Sequence, residues 1–170
     1  MPWKSHVLVV ANVTAGAQEL LSALRERAER ESMSIHLVVP ATPFGGGRAA
    51  AVQTLSDALA QLHGFGLEAN GTVGHPDPLT ATLDAWDPRH YDEIIISTLP
   101  IGSSKWLRAG LPARVERLTG APVTHIVSQP PRHFVQAGPA PEHKDSGVLM
   151  GALSVLGWGS SSGRRRASRI

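Results

Sequence analysis

The chemistry-bearing residues of this 170-residue chain concentrate between Asp92 and Val127, DEIIISTLPIGSSKWLRAGLPARVERLTGAPVTHIV. An apolar run, Ile94-Ile95-Ile96, leads into a loop of small polar residues from Ser97 to Lys105. Ser97, Thr98, Ser103 and Ser104 carry hydroxyls there, Gly102 permits close backbone approach, and Lys105 adds a cation. Gly110-Leu111-Pro112 then opens a helix. A strand, a small-residue loop and a helix start together suit an anion, because free backbone N–H groups and the helix dipole both favour negative charge. Two polar residues, Asn12 and Thr14, follow the first apolar run; turn and helix-cap duty is the simpler role for Thr14. Gly45-Gly46-Gly47-Arg48 also precedes a helix. It has no Walker lysine and no GxGxxG spacing after a strand, so a flexible loop is its simpler reading.

Other chemistries find less material. The chain has no cysteine, which removes disulfides, thiolate metal sites and a cysteine nucleophile. Its eight histidines are scattered, and no pair has metal-ligand spacing on one helix or strand face, so no metal is expected. His75 falls near the expected ligand edge, whereas His6, His36 and His125 are expected half-buried in or beside strands. Asp77 and Asp92 have simpler roles as a helix cap and a strand-edge charge than as part of a Ser–His–Asp set. No residue is assigned to catalysis. An FMN site at Thr14-Ala15-Gly16 lacks an aromatic placed to stack on a flavin. A phospho-receiver would need acids at the end of the first strand.

These residues need a scaffold, and the hydrophobic pattern supplies it. Strands are expected at His6–Ala11, Ile35–Val39, Leu67–Val73, Ile94–Ile96 and Pro122–Val127. Between them come four helices. The first runs from a Thr14 cap to about Glu31, with Leu20, Leu21, Leu24 and Ala28 inward. The second covers about Arg48 to His63 with Val52, Leu55, Leu59 and Leu62 as its stripe. The third starts at Asp77-Pro78 and carries Leu79, Leu83 and Trp86. The fourth carries Leu111, Val115 and Leu118. Apolar strands alternating with helices imply a doubly wound, five-stranded parallel sheet covered on both sides.

After Ser128 the composition changes. QPPRHFVQAGPAPEHKDSG is proline-rich, Val148–Trp158 is mildly apolar, and GSSSGRRRASRI is basic and of low complexity. The expected organisation is a domain over 1–128 and a disordered tail over 129–170. Up to Ser128 there are ten Lys/Arg against twelve Asp/Glu; beyond it, six against two. The basic balance therefore belongs to the tail, and nucleic acid is not an expected partner except through Arg164–Arg166. No stretch is long and apolar enough for a signal peptide core or a membrane span, so a cytoplasmic location is expected.

The sequence from His6 to Val127 resembles the universal stress protein family, part of the nucleotide alpha-hydrolase-like folds. VLVVANVT looks like that family's first strand and turn, and VGHPDPLTATLDA like its third strand leading into a helix. STLPIGSSKWLRAGLPARVERLTGAPVTHIV looks like its signature stretch. The resemblance implies an adenine nucleotide, ATP or a relative, as cofactor. It implies Asn12 near the ribose, the Val39 backbone near the adenine, and Ser97, Thr98, Gly102, Ser103, Ser104 and Gly110 around the phosphates. It also implies a homodimer through the last strand and a stress-response or signalling role with an unidentified protein partner. The ATP-binding pattern of glycine, two residues, glycine, nine residues, glycine and serine or threonine falls on Ser97, Pro100, Gly110 and Leu111. The family's first-strand acid is Asn12. Proline removes a donor, leucine removes a hydroxyl, and asparagine weakens a metal contact, so weak or altered nucleotide binding without catalysis is expected. Returning Ser97, Pro100 and Leu111 to glycine, glycine and serine is expected to restore part of it. The alternative is a nucleotide-hydrolysing or transferring enzyme of the same fold that uses the Gly102–Lys105 loop.

Overall fold

A computed structural model of the chain describes residues 3–43 and 46–129. The chain divides into two units, and the description concerns the first, Met1–His133. The expected tail over 129–170 lies outside the described residues apart from Gln129, as does Gly45 of the glycine-rich loop.

Five parallel strands form one sheet in the order β3-β2-β1-β4-β5. They are β1 (Ser5–Val10), β2 (Met33–Pro40), β3 (Glu68–Gly74), β4 (Glu93–Thr98) and β5 (Val123–Val127). The helices are α1 (Gln18–Ala28), α2 (Gly47–Gly64), α3 (Pro78–Ala85), α4 (Lys105–Arg108) and α5 (Leu111–Thr119). The additional helix, α4, is one turn that begins at Lys105, the last residue of the loop read from the sequence.

Alternation along the strands builds two cores. Val7, Val9, Ile35, Leu37, Val39 and Ile95 point to one face and meet Leu20, Leu21 and Leu24 of α1 and Ala51, Ala58 and Leu62 of α2. Leu8, Val10, Val38, Ile94 and Ile96 point to the other and meet Ala81 of α3 and Leu111 and Val115 of α5. β1 and β4 are buried on both faces, which is why they read as continuous apolar runs. Three residues expected inward stand outward: Val52 is 51% exposed, Leu83 37% and Leu118 55%. Val52 lies beside its helix's buried face, Leu118 lies in the last turn of α5, and α2 turns alanines to the sheet.

α3 begins as its sequence implies. The Thr80 N–H donates to Asp77 Oδ2 at 2.8 Å, and the Thr80 hydroxyl donates to the same oxygen at 2.8 Å. The Thr80 amide bond in particular holds the Asp77 carboxyl below the usual carboxylate range. A depressed carboxyl contributes stability above its unfolded value, near pH ~3.9, and loses it as pH falls through the folded value. Asp77→Ala is therefore expected to cost about 1 kcal/mol at neutral pH. Thermal melts should show the gap to wild type closing below about pH 4. A gap that is unchanged at acid pH would mean that the carboxylate is not the cap.

Candidate functional site

β1 lies at the middle of the sheet, and the chain leaves it in opposite directions. β2 and β3 lie on one side, β4 and β5 on the other. The helices after β1 and β4 consequently cover opposite faces, and a crevice opens between the two strand ends. A cavity of about 240 Å³ occupies this point. Its walls are Asn12, Val13 and Thr14 after β1, Thr42 after β2, Ser97, Thr98 and Leu99 at the end of β4, and Ser103, Ser104, Lys105 and Trp106 around the start of α4.

Most of its polar groups are held by one another. Asn12 Nδ2 donates to Thr42 Oγ1 at 2.7 Å. The Thr14 hydroxyl, buried, donates to the Ser97 carbonyl at 3.1 Å. Thr14 thus ties the loop after β1 to β4 and does not cap α1, whose first residue is Gln18 and whose N-cap is Ala17. Ser97 Oγ lies 3.0 Å from Ser128 Oγ, both buried. The Thr98 hydroxyl donates to the Leu99 carbonyl at 3.0 Å and accepts from His125 Nε2 at 2.8 Å. Partial desolvation lowers the His125 pKa, which favours the neutral ring.

The loop after β4 is a closed turn. The N–H groups of Ser103 and Ser104 both donate to the Pro100 carbonyl, at 2.8 and 2.9 Å. Ser104 Oγ accepts from the Leu107 N–H at 3.1 Å and caps α4. The expected cradle of free amides at Ser103 and Ser104 is therefore spent inside the turn. What faces the cavity is a set of hydroxyl and amide side chains among Val13, Leu99 and Trp106, with Lys105 at one side.

Five of the residues proposed from the sequence meet at this cavity: Asn12, Ser97, Thr98, Ser103 and Ser104. Val39, Gly102 and Gly110 do not line it. Val39 is wholly buried within β2, paired with Val73 of β3. Gly110 takes a left-handed conformation, φ +64°, as the N-cap of α5, which suits glycine. Leu111 is 2% exposed and part of the core beneath α5. A serine at that position would bury a hydroxyl, and a glycine at position 97 would remove the Ser97–Ser128 contact. The changes expected to restore part of the binding thus carry a packing cost. His75 lines no cavity here, and its Nδ1 accepts from the Asp77 N–H. His6 and His125 are exposed, not half-buried, whereas His36 is partly buried as expected. Thr42 and Trp106 escaped the sequence reading. Thr42 reaches the site from another strand, and only the Ser104 cap signalled the turn of helix that carries Trp106.

Three solved structures are similar to this chain over nearly their whole lengths. One is a universal stress protein in complex with cAMP, at 17% identity and TM-score 0.53, with 76% of this chain and 100% of that one covered. A universal stress protein family protein from Arabidopsis thaliana with AMP bound matches at 12% identity and TM-score 0.54, covering 74% and 92%. The chain has the fold of the universal stress proteins. A third universal stress protein, from Archaeoglobus fulgidus in complex with dAMP, matches at 21% identity and TM-score 0.52, covering 74% and 99%. At these identities the likeness is one of fold. No protein-family model and no curated protein matches the sequence. Among the described residues no helix is long and apolar enough to cross a membrane, and no group of three or more His, Asp or Glu could hold a metal ion.

Proposed function

We propose that the chain is a non-catalytic, universal-stress-type signalling or stress-response domain of the cytoplasm that binds an adenine mononucleotide weakly at the switch-point cavity. The observation that carries this reading is the cavity between the ends of β1 and β4, walled by Asn12, Thr42, Ser103 and Lys105. Its size and hydroxyl-rich lining suit a ribose phosphate, and structures of the same fold hold AMP, cAMP and dAMP. Its described walls carry neither a carboxylate nor an imidazole, so they offer no general base for hydrolysis and no metal-binding acid. That chemistry favours binding over the enzymatic alternative. The test is calorimetric titration of AMP into the purified full chain. Saturable one-site binding weaker than micromolar supports the proposal; no saturable binding of AMP removes it.

The proposed assembly is a homodimer through β5. This strand pairs with β4 alone and forms one edge of the sheet, and an open edge invites pairing. The backbone pattern decides which residues matter. The Ile94 N–H donates to the Pro122 carbonyl and the Ser128 N–H to the Thr98 carbonyl. Even-numbered residues of β5 therefore turn their backbone groups to β4, and Val123, His125 and Val127 turn theirs outward. Proline at 127 should block the edge while sparing the intrachain ladder, whereas proline at Thr124 or Ile126 would break the ladder itself. Val127→Pro is expected to elute as a monomer in sizing with light scattering, with the wild type a dimer. A wild type that is monomeric at micromolar concentration removes the assembly.

A further inference from the structure

We infer that Trp106 holds the base of the bound nucleotide, by stacking on it in a second compartment of the same site; this rests on the nucleotide reading above. The cavity at the switch point is not alone. A cleft of about 320 Å³ adjoins it and shares three of its wall residues, Thr42, Lys105 and Trp106. The chemistry of the two differs. The first is hydroxyl-rich; the second is lined by Pro43, Pro76, Pro78, Leu79 and Leu111, with Asp77 and Arg114 at its polar end. Asp77 is committed to Thr80 as the cap of α3. What remains is mostly flat and apolar, bordered by one large aromatic ring.

The local sequence explains why the ring stands there. Ser104 caps α4, α4 lasts only from Lys105 to Arg108, and Gly110 turns the chain into α5. The single turn carries Trp106 on the side facing both compartments, and its ring packs partly against Leu111 and its neighbours. Trp106 is therefore half-buried against this core and lines both compartments. An aromatic face with apolar flanks takes a planar heteroaromatic group well and a sugar phosphate poorly. The neighbouring hydroxyls of Thr42 and Ser103 and the Lys105 cation suit the sugar phosphate. A ligand that joins a planar base to a phosphorylated ribose satisfies both compartments at once. Neither half alone does.

The experiment is calorimetry on the full chain with two probes, AMP and ribose 5-phosphate. Aromatic–base stacking is worth a factor of about 5 to 150, so wild type should prefer AMP by at least about tenfold. Trp106→Ala should lose most of that preference while keeping its affinity for ribose 5-phosphate. Trp106→Phe should keep most of the preference, and it guards against a failure of the alanine variant to fold, which thermal melts would show. Equal affinity for the two probes in wild type, or an undiminished AMP preference in Trp106→Ala, overturns the role of Trp106 and leaves phosphate binding in place. No binding of either probe overturns the nucleotide reading as well.

Discussion

Replacing Leu111 by serine is expected to destabilise the domain by about 3–5 kcal/mol, without any gain in affinity for ATP. Leu111 is 2% exposed and packs with Val115, Ile94 and Ile96 beneath α5. Removing its isobutyl group leaves a cavity, which by itself costs about 2–5 kcal/mol when leucine becomes alanine. The serine hydroxyl then needs a partner, or adds about 1–3 kcal/mol of desolvation. Position 111 borders the cleft beside α5, where water can satisfy the hydroxyl in part, which holds the sum to the stated range. Chemical denaturation with an unchanged m-value measures the loss. A variant within about 1 kcal/mol of wild type would mean that the α5 core is looser than its burial shows. The side chain at position 111 thus serves the core beneath α5.

Gly71→Ala is the second large effect. Gly71 lies in β3 opposite Leu37, under α2. A Cβ there would stand 2.4 Å from the Leu37 carbonyl oxygen and 2.6 Å from Leu55 Cδ1. The leucine can rotate away, but the carbonyl belongs to the central sheet and cannot. Relief requires β3 to move off β2 or α2 to rise, so the cost should reach the upper end of overpacking penalties, about 3 kcal/mol. For a domain of this size that is on the order of 10 °C in Tm. Melting by circular dichroism decides it. A shift of a degree or two would show that β3 adjusts freely. The asparagine–glycine pair that makes β3 look weak as a sequence thus marks close contact between backbone and helix.

These two positions show what could be read in advance. The strands β1, β2 and β4 are legible because residues buried on both faces must be apolar without interruption. Asp77-Pro78 is legible because a capping carboxylate and a first-turn proline have a mechanism. α4 is not, since four residues are too few to show a period. Val52 and Leu83 mislead because α2 and α3 bury alanines in place of them, and Leu118 because α5 buries only Leu111 and Val115. For the site, the sequence points to the end of β4 and to Asn12, and the sheet topology brings them together. It does not show that Pro100 consumes the Ser103 and Ser104 amides, nor that Thr42 and Trp106 complete the walls. Those facts depend on turn geometry and on residues distant along the chain.

The central claim is that the cavity between β1 and β4 takes a nucleoside monophosphate and gains nothing from further phosphates. The Ser103 and Ser104 amides are committed to Pro100, Leu111 offers no hydroxyl, and the cations in the described walls are Lys105 and, in the adjoining cleft, Arg114. Each missing charged contact forgoes about 1.5–3 kcal/mol that a complete triphosphate site would have. Calorimetric titration of the full chain with AMP and with ATP measures this directly. The account predicts AMP binding with a Kd between about 10 μM and 1 mM, and ATP binding no tighter than AMP. Submicromolar affinity for ATP, well above that for AMP, would contradict it and would mean that the loop from Ile101 to Lys105 rearranges to hold the outer phosphates.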